Sequence, residues 1–226
     1  MTTGLSPRHV PPRNGFLPVL MLLLVGLFVG CGAATSHPSG PTPTPTKQLK
    51  GTITEFPIPT ANSFTLGITT GPDGNLWFTE TFINKIGRIT PSGTVTEFPL
   101  PASPSAPVAI TAGPDGNLWF TEGFGNKIGR ITPGGTITEF PIPTFVSVPM
   151  AITAGPDGNL WFTALSWNKI GRITPSGTIT EFPLPASHSA FDAKLGAGIT
   201  TGPDGNLWFT EDAAGPNGSN KIGRLM

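Results

Sequence analysis

The decapeptide GPDGNLWFTE fills Gly71–Glu80 and returns unchanged at Gly113–Glu122 and Gly202–Glu211, while the copy that begins at Gly155 ends in Ala164. Its first half reads as a turn, because Pro-Asp-Gly favours a type I turn with Gly74 supplying a positive φ. Its second half, LWFTE, is dense in aromatic residues and reads as a strand. A short apolar segment precedes the turn, LGITT in the first copy. Behind the strand come NKIGRIT, a PSG reversal and TVTEFPL, in which apolar Val95 and Phe98 alternate with polar neighbours. Four short antiparallel strands per unit follow, the proline-containing fourth on an outer edge because proline cannot donate to a ladder.

The copies start 42, 42 and 47 residues apart, a period that falls among propeller blades. Composition agrees, since 30 Gly and 27 Pro with only 12% charged residues argue against a helical protein. Thirteen basic residues balance thirteen acidic ones, and most recur at fixed places in the repeat, so no basic face is offered to nucleic acid. The expected fold class is all-β, a β-propeller of about four four-stranded blades over residues 51–226.

Phase adds a further expectation. GTITEFPIP at Gly51–Pro59 is a fourth strand with no first three before it, and NKIGRLM at the other end is a third strand with no fourth after it. The N-terminal strand is therefore expected to close the last blade and remove an open edge.

Residues 1–50 stand outside this domain. Arg8 and Arg13 precede an apolar run from Phe16 to Val29, whose 14 residues suit a signal-peptide core and fall short of a membrane-spanning helix. The run ends in LFVGCGAA, which resembles a bacterial lipobox, with Phe28 where such sites usually carry Leu and with Cys31 the only cysteine. Residues 1–31 thus read as a lipoprotein-like signal peptide with Cys31 as the lipidation site, and residues 32–50, rich in Pro and Thr, as an extended tether. An exported protein held outside the cytoplasm on a membrane by a lipid anchor is the expectation. One cysteine leaves no internal disulfide, so packing alone must stabilise the domain.

The repeat unit, GPDGNLWFTE followed by NKIGRITPSGTVTEFPLP, resembles the virginiamycin B lyase (streptogramin lyase) family of β-propellers, over nearly all of Gly51–Met226. The resemblance implies a lyase that opens a cyclic depsipeptide by elimination, with a histidine base and a Mg²⁺ held by a histidine and a glutamate near the top of the channel. It also implies seven blades where this chain has four repeats. A small closed ring, a homodimer completing a larger ring and a truncated relative are the three arrangements that follow.

Strand directions place Glu80, Glu122 and Glu211 on one rim, together with both lengthened loops of the last repeat. The positions just ahead of GIT or AIT, where a channel-facing histidine is expected, hold Leu66, Val108, Met150 and Ala197 instead. None of these changes charge near neutral pH. Only His188, in the long connection that also carries Asp192, stands near the expected face, so it is the candidate base, and Glu211 the candidate metal ligand. Two readings of the glutamates remain side by side: exposed ion pairs of Glu80 with Lys85, Glu122 with Lys127 and Glu211 with Lys221, or contacts to a ligand or metal. Trp167, in the loop after Ala164, is a candidate exposed contact, whereas the Trp-Phe pairs at 77–78, 119–120, 161–162 and 208–209 read as packing between blades. The functional expectation is a ligand-binding or interaction scaffold for a small molecule or protein, because the expected histidines are absent. A Mg-dependent lyase is the alternative, and whether the chain is an enzyme stays open at this point.

Overall fold

The computed structural model describes residues 51–184, 194–212 and 221–226, which form fifteen strands and one 3₁₀ turn. Blade 1 contains β1 (Thr65–Thr70), β2 (Leu76–Glu80), β3 (Lys85–Ile89) and β4 (Val95–Pro99). Blade 2 contains β5 (Pro107–Ala112), β6 (Leu118–Glu122), β7 (Lys127–Ile131) and β8 (Ile137–Pro141). Blade 3 contains β9 (Pro149–Ala154), β10 (Leu160–Ala164), β11 (Lys169–Ile173) and β12 (Ile179–Pro183), and blade 4 has β13 (Lys194–Thr201), β14 (Leu207–Asp212) and β15 (Lys221–Leu225). Every sheet is antiparallel and ordered as in the sequence, and the first strands β1, β5, β9 and β13 lie side by side.

The repeated decapeptide builds each blade's first hairpin in a way its residues dictate. Gly71 N–H donates to Asn75 O at 2.8 Å, and Gly74 takes φ 75°, a conformation that a Cβ would strain. Asp73 Oδ1 accepts from the Asn75 amide and, at 3.0 Å, from the Trp77 indole, so the aromatic residue of the strand clamps its own turn. The same indole-carboxylate bond joins Trp119 to Asp115, Trp161 to Asp157 and Trp208 to Asp204. Burial tends to raise the Asp73 pKa, but the bonds from Trp77 and Asn75 outweigh it and hold the carboxyl below its ordinary value.

Period-two alternation gives each blade two apolar faces. On one face of blade 1 stand Trp77 and Ile86, with Leu100 just beyond β4; they pack against Ile110, Leu118, Phe120 and Ile131 on the opposite face of blade 2. Trp119, Ile128 and Ile142 pack the same way on blade 3, and Trp161 and Ile170 on blade 4. The threonine of LWFTE stitches neighbours together, Thr79 Oγ1 donating to Val108 O at 2.9 Å and Thr121 Oγ1 to Met150 O at 2.8 Å in the next blade's first strand. Trp77, Trp119 and Trp161, with Phe120, Phe162 and Phe209 of the blade that follows each, are therefore interblade core, and Trp77 and Trp119 are fully buried.

Closure by the N-terminal strand is not seen. Gly51–Pro59 forms no strand, and β15 ends a three-stranded sheet without a fourth partner among the described residues. The segment instead lies against blade 1, where the Phe56 ring covers Gly93 just as Phe98 covers Gly135 and Phe140 covers Gly177. Phe56 thus occupies the place of a fourth-strand phenylalanine from a preceding blade. The sequence pattern identified the strand type, but a pattern cannot say which edge a strand meets.

Candidate functional site

In each of blades 1 to 3, the hairpin between second and third strands folds onto the loop that leads into the first strand. Thr81 and Phe82 amides donate to Phe64 and Ser63 carbonyls, both at 3.1 Å, and Gly123 and Phe124 amides to Ala106 and Ser105 carbonyls. Asn84 and Asn126 turn these hairpins at φ 54°, a left-handed conformation that asparagine tolerates. Their side chains reach the next blade, Asn84 Oδ1 accepting from the Ser105 and Ala106 amides at 2.8 and 2.9 Å. The loops of one end are thereby locked into a continuous rim.

Glu80 and Glu122 lie beneath this rim, not on it. Both are fully buried, and none of their four carboxylate oxygens has a hydrogen-bond partner. The expected pairs with Lys85 and Lys127 do not form, although both are Cα partners in the hairpin register. Lys85 turns instead to Glu97, at 2.6 Å, and to the Thr60 hydroxyl, at 2.8 Å, while Lys127 pairs with Glu139 and Lys169 with Glu181. The physical reason is solvent access: the fourth-strand glutamate is reached by a lysine that stays partly hydrated, whereas bonding to Glu80 would take the ammonium inside.

Burial pushes the Glu122 carboxyl up to about 7, with Glu139 adding repulsion and Lys127 opposing it. The Ser105 hydroxyl lies beside it but donates to Ala102 O at 2.7 Å. Glu80 is raised for the same first reason, burial, and next by Glu97. Ala164, at the corresponding place in blade 3, is fully buried and belongs to the interblade core. Its methyl group replaces an interior carboxyl rather than half of a surface pair, which corrects the expectation for this position.

Glu211 sits in β14, partly buried, opposite Lys221 in the hairpin register. His188, Asp192 and Cys31 lie outside the described residues, as do all three histidines of the chain. Among the described residues no three His, Cys, Asp or Glu side chains come together as a metal-binding group. The two enclosed carboxyls belong to separate blades. The described donor set does not fit a Mg²⁺ site.

What the rim does expose is aromatic. Trp167 ends the 3₁₀ turn Leu165–Trp167, is 57% exposed, and donates its indole N–H to Phe145 O at 2.7 Å. Phe124 and Phe82 project from the equivalent hairpins of blades 2 and 1, 77% and 68% exposed, and Phe82 stacks on Phe64 with centroids 4.4 Å apart. Phe145 is exposed as well. The sequence reading singled out Trp167 alone; the missed signal is that Phe82 and Phe124 both stand two residues after the repeat glutamate, where the chain leaves the strand.

Sheets stacked around adjoining first strands, with loops gathered at one end, define a β-propeller-type protein. The virginiamycin B lyase family matches residues 46–226, and the chain belongs to that family. Virginiamycin B lyase from Staphylococcus aureus is 45% identical with a TM-score of 0.68, over 79% of this chain and 60% of that one. A structure described as streptogramin B lyase is 39% identical with a TM-score of 0.67, over 78% of this chain and 60% of its own. A catalytically inactive variant of the S. aureus enzyme with quinupristin is 44% identical with a TM-score of 0.68, over the same shares. The chain thus spans about 60% of the length of these lyases.

Proposed function

We propose that this protein is an exported, membrane-tethered propeller that binds an apolar or aromatic small molecule, of the cyclic depsipeptide class, across its aromatic rim without opening it. The observation that carries this reading is the row of exposed aromatic side chains on three successive hairpins, Phe82, Phe124 and Trp167. Rigid aromatic groups give large contact area at little entropic cost. The chemistry for elimination lacks support in the same region: the first-strand positions Leu66, Val108 and Met150 carry no titratable group, and elimination depends on a positioned base. Membership in a lyase family favours a second reading, ring opening with His188 as base, assisted by Glu211 and Mg²⁺.

One titration separates the two. Full-length protein in detergent is titrated with quinupristin by calorimetry, and the ligand is then examined by mass spectrometry with and without Mg²⁺. The expected result is saturable binding and an intact ring, with Trp167→Ala and Phe124→Ala each weakening binding about tenfold or more, as truncation of a buried aromatic anchor does. Ring opening that disappears in His188→Ala would establish the lyase reading; binding unaffected by either aromatic substitution would place the ligand elsewhere.

Tethering has its own check. Cys31→Ser is expected to move the protein from the membrane fraction to the soluble fraction and to abolish labelling by fatty acid. Retention through detergent-free washes would count against the lipid anchor.

A further inference from the structure

The hairpin that follows the second strand is anchored differently in blades 1, 2 and 3. In blade 1, Thr81 Oγ1 donates to Pro107 O of the next blade at 2.8 Å, a buried bond. In blade 3, the Trp167 indole holds Phe145 O at 2.7 Å. Blade 2 has neither tie, because Gly123 and Gly125 stand where those two side chains would be. Residues 123–125 are held by three main-chain bonds, from the Gly123 amide to Ala106 O and from the Phe124 and Gly125 amides to Ser105 O, at 3.0 to 3.2 Å. Asn126, at the far end, is fastened through its side chain to Thr144 O and to the Ser147 amide, which marks a hinge there. Two glycines and an exposed phenylalanine add little burial to the three bonds, so this is the hairpin easiest to open.

Beneath it lies the enclosed carboxyl of Glu122. A Cβ on Gly125 would lie 2.8 Å from Glu122 Oε2, so the hairpin backbone rests directly on this group. Neither of its oxygens has a hydrogen-bond partner. The surroundings do little for a charge there. Lys127 faces it from β7 but is bonded to Glu139 of β8, whose own carboxylate repels it. β5 sets Pro107 opposite in register, and β9 carries no titratable side chain. The loop 100–106 has none either, and its Ser105 hydroxyl donates to Ala102 O. The hairpin itself holds no ionisable group. An ionised Glu122 is therefore costly while the hairpin is closed and gains water once 123–125 lifts.

We propose that Glu122 is a pH-sensitive latch on the rim: with its carboxyl neutral the hairpin 123–126 stays closed, and with it ionised the hairpin swings about Asn126, so that the carboxylate reaches water and Phe124 leaves the rim. Blade 3 has the same hairpin without the latch, since Ala164 fills the glutamate's place in the interblade core. The direction follows from the proton. Burial raises the closed carboxyl from 4.5 to about 7, and exposure returns it to its ordinary value, so opening grows as pH rises between those values and levels off above them. Linkage sets the rise in the open fraction at roughly seventyfold from pH 5 to pH 8. Any effect on a ligand rests on the aromatic rim being the binding surface, whereas the opening itself does not.

The test is amide hydrogen exchange on the full chain in detergent micelles, at half-unit steps from about pH 5 to pH 8 and corrected for the intrinsic rate. Wild type is expected to lose protection at residues 123–125 by roughly seventyfold, while Leu165, Ser166 and the strands of blade 3 keep theirs. Glu122→Gln, which keeps the shape, and Glu122→Ala, which copies blade 3, are each expected to hold the hairpin closed across the range. Constant protection in wild type would overturn the proposal. So would a loss shared by all strands, which is softening of the whole domain, or a loss that persists in Glu122→Gln, which traces to another group. Quinupristin in excess at pH 8 then separates latch from ligand. Protection restored at 123–125 would show that the ligand holds the closed rim. Opening that depends on Glu122 but ignores quinupristin would support the latch and remove the rim as the binding surface.

Discussion

Glu122→Gln is expected to stabilise the protein by about 3 kcal/mol at pH 8 and to leave its stability almost unchanged at pH 4. The carboxyl is fully enclosed, has no hydrogen-bond partner, and is pushed by burial from an ordinary 4.5 up to about 7. Between those two values the unfolded chain has already lost this proton while the folded chain keeps it. Stability is therefore greatest below the unfolded value, falls as pH rises toward 7, and levels off above it. Glutamine keeps the shape and removes the charge, so the falling limb disappears with it. Asp73, Asp115 and Asp157 have lowered pKa values, so what they contribute is lost only as pH falls below the ordinary carboxylate value toward theirs, and does not distort the window between 5 and 8. Glu80 is raised in the same direction, so the single variant keeps a shallower slope and Glu80→Gln with Glu122→Gln flattens the profile further. Thermal melts at half-unit intervals from pH 4 to pH 8 measure this directly; a gain at pH 8 on the order of 10 °C is expected for a domain of this size. A variant whose profile runs parallel to wild type would show that Glu122 is solvated.

That buried pair of carboxyls marks the limit of what the sequence disclosed. Strand order, hairpin register and the interblade role of the tryptophans follow from a period, a turn motif and alternation, all of which are local. Thr79 and Trp77 carry their meaning in the same repeat that sets the fold. The glutamates also repeat, yet their environment depends on a contest that sequence spacing does not decide: Lys85 lies opposite Glu80 in register but bonds to Glu97 from the next strand. Ala164 was the visible hint, because an alanine replaces a buried residue more naturally than an exposed one. The destination of Gly51–Pro59 failed for a related reason. A strand with an unpaired edge reads the same whether its partner lies in its own chain or another, and here it rests on blade 1. Phe82 and Phe124 were overlooked because aromatic residues in a repeat suggest core, while their place in the hairpin turn, two residues past the strand end, leaves them exposed.

Gly129→Ala is expected to cost about 3 kcal/mol or more, the upper range for overpacking a core, although it adds a single methyl group. Gly129 stands opposite Phe120 in the β6–β7 register, and a Cβ there would lie 2.1 Å from Phe120 Cζ and 2.2 Å from Cε2, far inside van der Waals contact. Phe120 cannot yield: it is fully buried among Leu118, Ile110 and Ile131, in the layer that joins blades 1 and 2. Either the ring leaves its rotamer or the two strands separate, and both open the interblade core. The same ring lies over Gly87, Gly171 and Gly223 in the other blades, so the glycine of NKIGR is a slot for the phenylalanine of LWFTE in all four. Gly123→Ala supplies the control, because its nearest neighbour would be the Val108 side chain at 3.3 Å and the equivalent positions hold Thr81 and Leu165. Denaturant unfolding followed by tryptophan fluorescence is expected to show a large loss of stability for Gly129→Ala and a change within about 0.5 kcal/mol for Gly123→Ala. A double variant, Gly129→Ala with Phe120→Leu, should recover part of the loss, since the shorter side chain frees the space the methyl needs. Equal stability of Gly129→Ala and wild type would mean that the ring does not sit on the glycine, and with it the packing of blade against blade would have to be redrawn.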